Sequence, residues 1–222
     1  MSDDTHIGTI SVTVETGAKK CFASALDWPG WSRSGRTEEA ALAALADYAT
    51  RYALVAKEAG APFEPGDYDV TEHTGGGSGT DFGVPSSITD LDHRALDTAE
   101  AERQARLVEA AWLVLDRIAA TAPAELRKGP RGGGRDRDKM LAHVFESDWY
   151  YAREIGIRVP QPAATDRAAI DAMRTAMLDG LRQPSDGSPL VGRKWTPRYA
   201  ARRVAWHSLD HAWEMEDRSD PG

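Results

Sequence analysis

The stretch Thr196-Pro197-Arg198-Tyr199-Ala200-Ala201-Arg202-Arg203-Val204-Ala205-Trp206-His207-Ser208-Leu209-Asp210-His211-Ala212-Trp213-Glu214-Met215-Glu216-Asp217-Arg218 reads as one long helix. Thr196 suits the N-cap, and Pro197 falls at the first helical position, where its missing N–H costs no hydrogen bond. No Gly or Pro interrupts the run before Ser219-Asp220-Pro221-Gly222. His207 and His211 stand four residues apart, so their rings leave one face, one turn from each other. Ala200, Val204 and Met215 share that face, which predicts that it is buried. Two imidazoles on a buried stripe either serve as satisfied core residues or grip one metal ion, and the second role needs a third ligand from elsewhere.

Working outward, the chain has 222 residues, 41% of them hydrophobic and 28% charged. With a mean hydropathy of -0.50, this is ordinary globular composition with room for two modest domains or one large one. No apolar run approaches the ~20 residues that span a bilayer, so no membrane partner is expected. Met1-Ser2-Asp3-Asp4 is acidic and no apolar segment follows it, so a secretory signal is not expected and the default location is cytoplasmic. A lone cysteine, Cys21, excludes an intrachain disulfide and any Cys-rich zinc site. It falls in a predicted strand, as a buried hydrophobe rather than a nucleophile. The net charge of -8 is uneven: residues 1–84 hold 6 Lys/Arg against 13 Asp/Glu, and the remainder 21 against 22. Neither part is basic, so nucleic acid is not an expected partner.

From the N-terminus, Ile10, Val12 and Val14 alternate with polar residues, the pattern of a half-buried strand. After a turn at Gly17-Ala18-Lys19-Lys20, Cys21–Leu26 forms the second arm of a hairpin. Asp27-Trp28-Pro29-Gly30-Trp31-Ser32 is a loop by its Pro-Gly pair. Thr37 caps a helix whose stripe is Leu42, Leu45, Ala49, Tyr52 and Ala56, stopped by Gly60 and Pro62. A short strand follows at Tyr68–Thr71. The segments Phe22-Ala23-Ser24-Ala25-Leu26-Asp27-Trp28-Pro29-Gly30-Trp31 and Gly35-Arg36-Thr37-Glu38-Glu39-Ala40 resemble the HicB-like fold, a small α+β module known from antitoxins. The resemblance covers residues 7 to about 60. No ribbon-helix-helix or helix-turn-helix segment accompanies it. An accessory domain that packs on its neighbour or forms a homodimer is the expected role, ahead of a HicB-type regulatory module.

Gly75-Gly76-Gly77-Ser78-Gly79-Thr80 has the composition of a flexible linker. It runs towards Pro85, with no following Lys-Ser or Lys-Thr and no helix, so it is not a phosphate-cradling loop. The division expected is 1–74 for the α+β domain, 75–87 for the linker and 88–218 for an all-α domain. Four amphipathic patterns fill the last part. The first runs from about Thr89 to Ala120, with Leu107, Ala110, Ala111, Val114 and Ile118 on one side. The second runs from about Asp136 to Ile155, and the third starts at Thr165 or Asp166 with Ile170, Met173, Met177 and Leu181 as its stripe. The His-bearing helix is the fourth. An up-down four-helix bundle is the economical arrangement.

His143 lies in the second of these helices, at the edge of its Leu141/Val144 stripe. Ligands of a bundle site project inward from facing helices, so His143 can meet His207 and His211. A three-His site keeps one or more positions open, as reactive metal sites do. Neutral imidazoles suit a divalent ion such as Zn or Ni. Asp210 and Glu214 are placed to hold the second ring nitrogens, or are solvated helix charges.

Residues 88–218 resemble the DinB-like superfamily of metal-binding four-helix bundles, which includes mycothiol-dependent maleylpyruvate isomerase and bacillithiol transferases. The resemblance is carried by Asp138-Lys139-Met140-Leu141-Ala142-His143-Val144 and by Arg203-Val204-Ala205-Trp206-His207-Ser208-Leu209-Asp210-His211. The family's metal triad falls on His143, His207 and His211. The resemblance implies a thiol cofactor, mycothiol or another low-molecular-weight thiol, activated by the metal to attack a small-molecule electrophile. The activity implied is that of an S-transferase or isomerase; the alternative is a metal-binding or stress-response bundle without turnover. Arg193, Lys194, Arg198, Arg202 and Arg203 crowd the start of the fourth helix, either as carboxylate binders or as a solvated face. Trp112, Trp149, Trp206 and Trp213 are expected mainly in the core. His6 falls in the N-terminal tail, His73 beside the linker and His93 at a helix start without a partner, and none of them is expected to be a ligand.

Overall fold

The computed structural model of this chain describes residues 9–129 and 134–219. Its N-terminal part is a four-stranded mixed sheet in the order β3-β2-β1-β4, built from β1 (Ile10–Thr16), β2 (Cys21–Ala25), β3 (Ser32–Gly35) and β4 (Tyr68–Gly75). The expected hairpin is present, with Val12 opposite Ala25 and Thr16 opposite Cys21. Cys21 is a buried strand residue, as anticipated. The Trp31-Ser32 end of the expected loop leads into β3, which pairs antiparallel with β2. Ser32-Arg33-Ser34-Gly35 has no apolar alternation, so its strand character comes from its partner and leaves no mark in its own sequence.

β4 pairs parallel with β1, and a parallel pair needs a crossover rather than a tight turn. The crossover is helical: α1 (Glu38–Asp47) and α2 (Ala49–Glu58). As expected, Thr37 caps α1 by accepting from the Ala40 N–H at 3.2 Å. The single helix anticipated here is broken at Tyr48, where φ is -90° and ψ 0°. The break sets the Tyr48 ring between the Arg33 guanidinium, 3.9 Å from its centroid, and Trp213, 5.1 Å away.

The Gly-rich tract does not behave as a flexible linker. Residues 78–82 form α3 (Ser78–Phe82), and Glu15 of β1 ties the tract down. Its carboxylate accepts from the Thr80 hydroxyl, from the Ser86 N–H at 3.2 Å and from the Ser87 N–H at 3.0 Å. Composition alone announces a loop; it does not reveal that a strand glutamate will satisfy the loop's donors.

The remaining long helices are α4 (Thr98–Thr121), α5 (Arg137–Glu154), α6 (Arg167–Leu181) and α7 (Pro197–Ser219). Asp97 and Asp166 cap α4 and α6 through their carboxylates. At α7 the Thr196 hydroxyl accepts from the Tyr199 N–H at 3.2 Å. α4 starts nine residues later than the amphipathic pattern suggests, because Asp90–His93 forms a 3-10 turn and Leu96 bridges to Ser185. α4 packs on α7 and α6, and α5 packs on the same two helices.

The two parts of the chain share one core. Val12, Leu45 and Tyr52 belong to the same buried apolar cluster as Leu107, Val108, Val204 and Leu209. Gly30, at φ +93°, lies against α7 so closely that a Cβ there would stand 2.6 Å from the Leu209 side chain. Only glycine tolerates both that backbone and that approach. The expected boundary between residues 74 and 88 is therefore a boundary of secondary structure, crossed by continuous packing. Among the described residues no helix is long and apolar enough to cross a membrane.

Candidate metal centre

α7 is buried along most of its length, packed by α4 and α5 and touched by Phe22 and Arg33 of the sheet. His207 lies on this helix at 6% exposure, and His211 follows one turn later, half-buried. On α5 the buried stripe runs through Met140, Val144 and Asp148, and His143 sits half-buried at its edge. The packing of α5 on α7 brings the three imidazoles together. One ring nitrogen from each lies within 4.8 Å of the others, and the His207 and His143 Nε2 atoms are 3.3 Å apart. Ring centroids are separated by 5.1, 5.1 and 4.7 Å, with interplanar angles of 68°, 86° and 89°.

Zinc–nitrogen bonds of 2.0–2.1 Å at the tetrahedral angle separate two ligand nitrogens by about 3.3–3.4 Å. The His143–His207 spacing therefore suits two ligands of one ion. It also suits a single imidazole–imidazole hydrogen bond, but one shared proton satisfies only one pair of nitrogens. A third converging ring is what a metal site, unlike a hydrogen-bonded pair, requires. Among the described residues this is the only group of three His, Cys, Asp or Glu side chains gathered in this way.

The electrostatics favour the neutral form of His207 and His143. Burial pushes the His207 imidazole well below its usual pKa, and the neighbouring His211, Arg203 and His143 push in the same direction. Burial also lowers His143, helped by Arg135 and His211. Neutral imidazole is the form that coordinates a metal.

The surroundings orient two of the rings differently. Glu214 Oε2 lies 3.2 Å from His211 Nδ1, which leaves Nε2 for an ion, the usual carboxylate–histidine arrangement behind a metal ligand. The Glu214 carboxyl is held below its usual range by that hydrogen bond and by Arg218, against the opposing effect of burial. Among the described residues His207 Nδ1 is buried without a hydrogen-bond partner, so packing holds its ring. Tyr151 meets it edge-on at 5.7 Å, and Trp206 lies 6.2 Å away.

Asp210 takes neither of the roles expected of it. Its carboxylate accepts from Arg33 Nη1 of β3 at 3.1 Å, so it clamps α7 to the sheet. The basic residues before and within α7 also divide. Arg202 forms a buried two-point pair with Asp92, and Arg198 caps carbonyls at Arg94 and Ala95. Arg203 lies over the Tyr151 and Trp206 rings, 5.2 and 4.9 Å from their centroids, beside the triad. Of the tryptophans, only Trp206 has its ring against a triad residue. Trp112 packs with Arg174, Trp213 with Tyr48, and the Trp149 N–H donates to the Val159 carbonyl. The exposed His73 of β4 pairs with Glu38 of α1, and His93 ends the 3-10 turn; His6 lies outside the described residues.

Tyr151 and Arg33 are the neighbours that sequence reasoning missed. Tyr151 follows His143 by eight residues on one helix, two turns on and about 80° further round, within one broad stripe of the helix. Arg33 carries no such signal, because its strand is itself silent in the sequence. The chain matches no family model, no curated protein and no solved structure.

Proposed function

We propose that the protein is a metal-dependent, low-molecular-weight-thiol-dependent S-transferase or isomerase, built on a DinB-like up-down four-helix bundle of α4–α7. The observation that carries this reading is the convergence of His143, His207 and His211 from two packed helices. Three neutral imidazoles hold a divalent ion, zinc or nickel, and leave at least one coordination position open. The ion, when bound, lowers the pKa of a thiol and so supplies the nucleophile.

The chain's own groups do the rest. Burial keeps His207 and His143 in the coordinating state. Glu214 fixes the tautomer and angle of His211. Arg203 places a guanidinium beside the triad, where it favours an anionic sulfur over a neutral one. Burial pushes the Tyr151 phenol up to about 12, so it stays protonated and walls the site without adding a negative charge. In the transfer reaction the sulfur gives an electron pair to the electrophilic carbon. The displaced group leaves with the pair of the bond that breaks, and the thiol proton goes to solvent.

The test is incubation with zinc or nickel, mycothiol or a substitute thiol, and monochlorobimane. Metal-dependent thioether formation that is lost in His207→Ala is the expected result. Stoichiometric metal binding with no thiol consumed by any pairing would leave a metal-holding bundle without turnover.

A further inference from the structure

A groove of about 610 Å³ opens between the last turn of α5 and the loop entering α7. That volume lies in the range of small-molecule sites. Its aromatic walls are Tyr150, Tyr151 and Trp195. Tyr151 lies 5.2 Å from Trp195 on one side and 5.7 Å from His207 on the other, so the groove ends at the wall of the triad. Tyr150 is 53% exposed, a large aromatic surface left open to solvent.

The polar lining is cationic on a chain whose net charge is -8. Arg193 and Glu154 neutralise each other at 2.6 Å. Lys194 and Arg153 also line the groove, and among the described residues neither has a carboxylate partner. Arg153 lies instead over Trp149, 5.0 Å from its centroid. Two uncompensated cations beside three aromatic rings match a planar ligand with a negative end. Exposed charge pairs alone are weak, and a ring alone would not select a site among other aromatic surfaces. The two features together provide both affinity and orientation.

We propose that this groove binds a small aromatic carboxylate, with its ring against the Tyr150/Trp195 walls and its carboxylate at Lys194 and Arg153. Its use as the entry for an electrophilic substrate rests on the three-His reading; binding itself does not.

The probe is benzoate, titrated into the full-length protein and followed by backbone amide shifts of residues 150–154 and 193–195. Saturable shifts confined to those amides are expected. Cyclohexanecarboxylate, benzyl alcohol and inorganic phosphate should each bind at least ~10-fold more weakly, because each lacks one half of the match. Arg153→Glu with Lys194→Glu should weaken benzoate by more than ~10-fold. Lys194→Gln alone should give a smaller loss and serves if the double variant folds poorly. The titration is run on chelator-treated protein, so failure of metal binding and failure of the groove are separately visible. Equal binding of benzoate and phosphate, an unaffected Lys194→Gln variant, or the absence of saturable shifts would overturn the proposal.

Discussion

His143 Nε2 on α5 and His207 Nε2 on α7 stand 3.3 Å apart across 64 residues of sequence. No charged partner draws these rings together; the packing of two helices does, and burial keeps both neutral. Two imidazoles held neutral by burial resist proton competition better than ordinary histidines do. Bound zinc should therefore remain through pH 6 and be released only on further acidification. A chromogenic chelator read across pH 4–8 checks this. Release centred at or above the ordinary histidine pKa of about 6.5 would contradict it.

Glu214→Gln should keep the fold and weaken metal binding by about 10–100-fold, the usual effect of losing the carboxylate behind a ligating histidine. Competition with a chelator of known affinity measures it. Asp210→Asn serves as the comparison, because that carboxylate is occupied by Arg33. It should change thermal stability more than metal affinity.

Arg202 and Asp92 form a two-point pair at 2.8 and 2.5 Å with almost no exposure. Burial disfavours the charge on Asp92, yet Arg202 and the Thr89 N–H and hydroxyl hold its carboxyl below the usual range. Removing one partner strands a buried charge, so Arg202→Ala should cost about 3–5 kcal/mol. The double variant Arg202→Met/Asp92→Leu should recover part of that. Full recovery is not expected, since the Thr89 N–H loses its acceptor. Urea unfolding of the three proteins gives the comparison.

Asp148 is fully buried in α5, and burial pushes its pKa up to about 7 against the opposing effect of Arg174. The unfolded value is about 3.9, so between these limits the native state holds more protons than the unfolded state. Stability is therefore highest below that window and falls as pH rises through it, by at most about 1.4 kcal/mol per pH unit. Asp148→Asn removes this dependence, so its stability advantage over the parent should grow from pH 5 to pH 8. Thermal melts at four pH values test it; a difference that stays constant with pH would show that Asp148 remains charged.

The helical half was readable from the sequence because its signals are local. Thr196 and Asp166 announce helix starts, and the spacing of His207 and His211 fixes a shared face. That His143 joins them depends on how α5 packs against α7, which the stripe at Leu141 and Val144 indicated only to within a residue or two. Three features escaped. β3 forms by pairing with β2 and shows no alternation of its own. The Gly75–Thr80 tract looks like a tether until Glu15 is placed beside it. The shared core of the two halves depends on Gly30, whose requirement for close approach to Leu209 appears only when α7 lies against the loop.

The central claim is that His143, His207 and His211 hold one ion, and elemental analysis of the purified protein tests it most directly. Close to one divalent ion per chain, zinc or nickel, is expected in the parent and in the His73→Ala and His93→Ala controls. Occupancy should fall below about a tenth in His143→Ala, His207→Ala and His211→Ala, with helicity by circular dichroism retained, because two imidazoles make a poor site. Full occupancy in His143→Ala, or no metal in the parent even after loading with zinc and with nickel, would contradict it.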